Sequence, residues 1–133
     1  MDGGKGKDVI EGDAGKDTLT GGKGDDTFVY NRVDDSMTNN DVITKATLDY
    51  GDTITDFEIG KDVIDLSGID AIAGGGDDAF TFISGGFNNV AGELRYKKKD
   101  ALVEADVDGD GLADFAILIE NDPGKLTASD FVL

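Results

Sequence analysis

The sequence predicts an all-β fold: a parallel coil of very short strands at the N-terminus, running into antiparallel strands. Two observations predict it. Residues 3–29 fall into three tandem nonapeptides, each with a large apolar residue at its eighth position. Beyond residue 51, short runs of alternating apolar and polar residues are separated by clusters of Gly, Asp and Asn. At 133 residues and 38% apolar, the chain is long enough for one domain with a modest core.

The nonapeptides are GGKGKDVIE, GDAGKDTLT and GGKGDDTFV. Gly occupies position 1 (Gly3, Gly12, Gly21) and position 4 (Gly6, Gly15, Gly24). Asp occupies position 6 (Asp8, Asp17, Asp26), and Ile10, Leu19 and Phe28 occupy position 8. The nine that begins at Tyr30 has lost its glycines but keeps Asp35 at position 6. Glycines allow tight turns at positive φ and let carbonyls converge. The remaining three residues suffice only for a short strand with its middle side chain inward. Two nines close one coil, so residues 18 apart stack at about 4.8 Å. Asp8 is then expected over Asp26, and Asp17 over Asp35. Two such carboxylates repel by roughly 1 kcal/mol even in water. A hard divalent cation that accepts carboxylate and carbonyl oxygens reverses the sign, and calcium suits this.

This pattern resembles the repeats-in-toxin (RTX) family of calcium-binding β-rolls. The resemblance implies one ion site from Gly4, Gly6 and Asp8 with Gly21, Lys23 and Asp26, the glycines and the lysine lending carbonyls. It implies a second on the opposite edge from Asp13, Gly15 and Asp17 with Tyr30, Arg32 and Asp35.

Residues 31–51 read as a polar connection with at most one short irregular element. Alternation then predicts strands over 53–57 and 62–66, with Glu58–Lys61 as the turn. The stretch DTITDFEIGKDVIDLS is similar to the segment that follows the roll in serralysin-type secreted metalloproteases. That resemblance implies a β-sandwich cap, and an ion site closing the roll from Asp52 and Asp62 with Asp35, or with Asp41 in its place. The expected organisation is a single domain: roll 2–35, connecting loop 36–51, cap 52–133.

Four further strands are expected over 79–83, 92–96, 101–105 and 115–119, joined as antiparallel hairpins. A short helical turn is expected at 66–69 or near Thr127, a candidate N-cap. Between the last two strands lies DVDGDGLAD. Asp106, Asp108 and Asp110 stand at positions 1, 3 and 5 of a calcium loop. Gly111 turns the chain, Leu112 offers its carbonyl and Asp114 stands at position 9. Position 12 is Ile117 instead of Glu, so an EF-hand is excluded. The same residues also suit an acidic hairpin in which Asp-Gly pairs merely satisfy the turn.

Net charge is −17, with no His and no Cys. Zinc sites, Ser-His and Cys-His nucleophiles and disulfides are excluded, and nucleic acid is an unfavourable partner. Nothing marks a catalytic acid/base pair, so a non-catalytic module of a secreted protein is expected. The N-terminus has no Sec-type leader, and no segment has the apolar length of a membrane helix. A Met followed at once by a repeat suits a module excised from a larger protein. The terminal Asp130-Phe131-Val132-Leu133 resembles the type I secretion signal of serralysin-type proteins, which implies export through that apparatus. The basic run Arg95-Tyr96-Lys97-Lys98-Lys99 reads either as a solvated hairpin tip or as a contact for an anionic polysaccharide. The second reading has a parallel in the RTX modules of mannuronan epimerases.

Overall fold

The structure, a computed structural model, describes residues 1–41 and 51–133. Its strands are β1 (Asp2–Lys5), β2 (Val9–Glu11), β3 (Thr18–Lys23), β4 (Thr27–Val29), β5 (Met37–Asp41) and β6 (Asp52–Ile54). They continue with β7 (Val63–Asp65), β8 (Thr81–Ile83), β9 (Glu93–Lys97), β10 (Leu102–Asp106), β11 (Ala113–Ile119) and β12 (Phe131–Val132). Two 3-10 turns, Val33–Ser36 and Ala128–Asp130, complete the described elements.

The nonapeptides coil as their period predicts. β1 pairs in parallel with β3, Gly4 opposite Gly22, and β2 pairs in parallel with β4, Ile10 opposite Phe28. Each partner lies 18 residues on. Successive strands therefore alternate between two facing sheets, and the eighth residue of each nonapeptide points between them. Ile10, Leu19 and Phe28 are fully buried there, together with Ile54 and Ile64 of the next rung. Burying a side chain of this size stabilises by about 1.5–3 kcal/mol.

The rungs approach so closely that glycine is required. Gly22 and Gly24 have φ of 97° and 140°. A Cβ on Gly24 would lie 2.6 Å from the carbonyl carbon of Gly6 and nearer still to its oxygen. The amide of Gly6 donates to the carbonyl of Lys23 at 2.7 Å, which holds the two loops at this spacing.

The roll does not end at residue 35. After Val29 the chain makes an excursion, and β6 and β7 return as a third rung. β6 pairs in parallel with β3, Thr18 opposite Thr53, and β7 with β4, Phe28 opposite Ile64. The segment expected to open the cap thus completes the coil. Residues 42–50 of the expected connecting loop lie outside the described residues.

The cap grows out of one sheet of the roll, in the order β1-β3-β6-β11-β10-β9-β8, with β5 also paired to β11. The other sheet runs β12-β7-β4-β2. β9, β10 and β11 are antiparallel neighbours, as expected. β8 is a departure: it pairs with β9 in parallel. The reason lies in residues 84–92, which cross back over the acidic loop instead of making a tight hairpin. Asn89 donates to the Asp110 carbonyl at 2.8 Å, and the Gly92 amide to the Asp106 carbonyl at 2.8 Å. The 3-10 turn near the C-terminus forms where expected, with Thr127 as N-cap and its amide donating to Asp130 Oδ2 at 2.7 Å.

Candidate metal centre

The coil places its aspartates in two columns. Loops joining β1 to β2, β3 to β4 and β6 to β7 lie on one edge, and the loop joining β2 to β3 lies on the other. On the first edge the Asp8 amide donates to Asp26 Oδ1 at 2.9 Å, and the Asp26 amide donates to Asp62 Oδ1 at 3.0 Å. On the second the Asp17 amide donates to Asp52 Oδ1 at 2.7 Å. One oxygen of each upper carboxylate thus ties adjacent rungs together. Three carboxylate oxygens on these edges have no such partner: Oδ2 of Asp8, Asp26 and Asp52 is buried without a hydrogen bond among the described residues. Burying a carboxylate oxygen without a donor is costly.

These columns confirm the stacking of Asp8 with Asp26 and correct that of Asp17. The rung above Asp17 is Asp52. Without glycines, the nine from Tyr30 cannot repeat the left-handed turns, and the chain folds into the 3-10 turn instead. There Asp35 Oδ2 accepts from the amides of Asn31 (2.9 Å) and Arg32 (3.0 Å) of its own loop. Asp35 still stays near enough to the column for its charge, like that of Asp17, to act on Asp52. On this edge Asp17 and Asp35 thus stand near Asp52 without converging on it: among the described residues, Asp106, Asp108 and Asp114 alone form a trio with carboxylate oxygens within 4.8 Å of one another. Asp13, at φ 61°, shares a cleft with Glu11, Ala14, Asn31, Arg32 and Asp35. Asp41 ends β5, opposite Ala113.

A closing site shared by Asp52 and Asp62 is not what forms. The two lie on opposite edges, because Asp52 opens β6 and Asp62 ends the loop that follows that strand. Asp62 is also fully engaged, its Oδ2 accepting from the Glu58 amide at 2.8 Å.

Burial, then the neighbouring carboxylates, raise the Asp52 carboxyl to about 7, against the opposing hydrogen bond from Asp17. Burial likewise raises Asp62. The Tyr30 phenol lies beside Asp52, fully buried, its ring edge-on to Phe115 at 5.4 Å. Ser36 Oγ donates to the Ala116 carbonyl and accepts from the Asp52 amide at 2.8 Å, fixing the base of this carboxylate.

One contributor was not visible as such in the sequence. Asp56 accepts from the amides of Gly21 and Gly22, both at 2.8 Å, one on each oxygen. It read as a polar position in an alternating strand. Its role follows only from the 35-residue register between β3 and β6. Asp56→Ala strands both amides, and we expect a loss of about 1–3 kcal/mol in urea unfolding with calcium present. A midpoint equal to that of the parent protein would show that water serves these amides as well.

The 106–114 loop also folds as a compact acidic turn. Oxygens of Asp106, Asp108 and Asp114 lie within 4.8 Å of one another. Asp106 accepts from the amides of Gly109 and Gly111, and Asp114 from those of Val107 and Asp108. Asp110 stands apart from this trio and accepts from the Leu112 amide at 2.8 Å. The loop is thus held by its own amides. Burial, then the Asp108 charge, raise Asp114.

Two of the four cations of the basic run are paired within the cap. Arg95 pairs with buried Glu104 at 2.6 Å and lies over the Phe87 ring at 4.2 Å. Lys97 pairs with Asp100 at 3.1 Å. Lys98 and Lys99 are exposed.

No helix among the described residues is long and apolar enough to cross a membrane. No curated protein sequence matches the chain closely enough to count as a relative. Among solved structures, it is similar to the AlgE6R3 subunit of the mannuronan C5-epimerase from Azotobacter vinelandii, determined in solution. Identity is 23% and the TM-score 0.52, covering 96% of this chain but 66% of that one, which shows a shared fold. A family model described as Peptidase M10 serralysin C terminal matches residues 2–133, the roll and the cap together. By that match the chain belongs to the serralysin C-terminal family.

Proposed function

We propose that this chain is the calcium-binding, non-catalytic module of a larger secreted protein. It folds when it meets extracellular calcium and carries a type I export signal at its C-terminus. The observation that carries this reading is the pair of aspartate columns with buried, undonated Oδ2 atoms. The donor set is hard oxygen throughout, which fits calcium. On the first edge Asp8 and Asp26, with carbonyls of Gly4, Gly6, Gly21 and Lys23, would hold an ion. On the second, Asp17, Asp35 and Asp52, with carbonyls of Asp13, Gly15, Tyr30 and Arg32, would do so. The 106–114 loop, through Asp106, Asp108, Asp110, Asp114 and the Leu112 carbonyl, is a further candidate. Asp62 acts as a hydrogen-bonded cap on the first column.

Electrostatics supplies the switch. With the ion absent, stacked carboxylates repel and the net charge of −17 favours an open chain. Extracellular calcium sites work at about 10⁻⁴ to 10⁻³ M and stay empty at cytosolic calcium. Export of an open chain, followed by folding outside, is the consequence. Circular dichroism in chelator should show a coil-like spectrum, and millimolar calcium should convert it to a β spectrum. A β spectrum of equal strength in chelator would refute the proposal.

A further inference from the structure

Tyr30 brings an unused donor to the second aspartate column. It stands where the three nonapeptides carry their first glycine. Its side chain is fully buried, yet its hydroxyl has no well-formed hydrogen bond among the described residues. A buried hydroxyl in that state is costly. The packing does not require it. The ring stands edge-on to Phe115 with centroids 5.4 Å apart, a contact that a phenylalanine would make equally well.

Its neighbour is the other orphan on this edge. The phenol and the Asp52 carboxylate lie within reach of one another, charge and hydrogen bonding both acting between them. Oδ2 of Asp52 is likewise buried without a well-formed hydrogen bond. The rest of Asp52 is engaged. Its Oδ1 accepts from the Asp17 amide at 2.7 Å, and its amide donates to Ser36 Oγ at 2.8 Å. Asp52 Oδ2 is thereby turned toward the loop that joins β2 to β3. A Cβ on Gly12 would lie 3.2 Å from that oxygen and 3.3 Å from Asp17 Oδ2, so the two oxygens flank one spot that glycine leaves clear. Asp35 adds its charge from its own loop, whose amides occupy its Oδ2.

We propose that Tyr30 is a positioning residue of the second-edge ion site: its hydroxyl closes a hydrogen bond to Asp52 Oδ2 and holds that oxygen toward Asp17 as the cation binds. This rests on the calcium reading above and adds what sets the affinity of one site. A neutral donor suits the task. It occupies one lone pair of the oxygen and leaves another for the ion. It brings no positive charge to compete with calcium, as a lysine would.

The test is Tyr30→Phe in the 133-residue chain, which removes the hydroxyl and keeps the ring and the backbone carbonyl. Calcium is titrated by calorimetry and circular dichroism, with Asp52→Asn marking which binding event belongs to the second edge. In Tyr30→Phe that event should move to roughly tenfold higher calcium. In the Asp52→Asn background the same change should have no further effect, because the phenol acts through that carboxylate. A second readout leaves Tyr30 in place. A phenol that donates to a carboxylate absorbs at longer wavelength, so the tyrosine absorbance of the calcium-loaded parent should lie to the red of that of Asp52→Asn. A parental midpoint in Tyr30→Phe, or equal tyrosine absorbance in the parent and Asp52→Asn, would overturn the phenol's role and leave calcium folding intact. A circular dichroism spectrum indifferent to calcium would overturn both.

Discussion

Gly24→Ala should abolish the calcium-dependent fold. The residue has φ 140°, where a side chain is strained, but strain is the smaller part. The new methyl would enter the backbone of Gly6, and backbone cannot rotate aside as a side chain can. Gly6 is also pinned by its amide's bond to Lys23 and by the pairing of Gly4 with Gly22. Relief requires parting the two loops that bring Asp8 and Asp26 together. We expect a cost above about 4 kcal/mol, in the exceptional range for one substitution. Gly60→Ala is the control. Gly60 has φ 81° but open space around its Cβ position, so it should cost about 1 kcal/mol. In calcium titrations followed by circular dichroism, Gly24→Ala should stay coil-like where Gly60→Ala folds near the parental midpoint. Parental folding of Gly24→Ala would mean that the rungs stack less closely than described.

The period of nine explains why so much was legible. It fixes which residues turn, which point inward and which stack, and it places Ile10, Leu19, Phe28, Asp8 and Asp26 without reference to distant residues. It stops being informative at Tyr30. From there the rung is completed by a segment more than twenty residues on, and the register between β3 and β6 is set by packing. Buried Tyr30 against Phe115, and Ser36 bridging Ala116 to the Asp52 amide, belong to that packing. Counting in nines therefore put Asp35 above Asp17, where the returning strand supplies Asp52. The same limit hid Asp56, and it hid the parallel pairing of β8 with β9. The acidic loop was legible for the opposite reason. Its hydrogen bonds are local, spaced two to seven residues apart, so the sequence spells them directly.

In chelator, acid should substitute in part for calcium. Asp52 sits at about 7 in the fold, above its ordinary 3.8, because it is buried among Asp17 and Asp35. A carboxyl raised on folding binds its proton more tightly in the folded chain than in the unfolded one. Its favourable contribution is complete below about 3.8 and is lost as pH rises through about 7. Asp62, Asp114 and Glu104 are raised in the same direction, burial being the largest cause for each. The ion-free fold should therefore gain stability as pH falls from 8 to 5. Calcium binding needs the ionised carboxylates and should weaken over the same interval, by up to about tenfold per pH unit for each proton displaced. Circular dichroism in chelator should show β content that grows from the coil-like spectrum as pH falls toward 5, while the calcium midpoint moves to higher concentration. Asp52→Asn keeps an oxygen for the Asp17 amide but carries no charge. It should fold more readily in chelator at pH 8 and flatten the pH dependence. β content in chelator that does not grow as pH falls from 8 to 5 would show that repulsion around Asp52 does not hold the ion-free chain open.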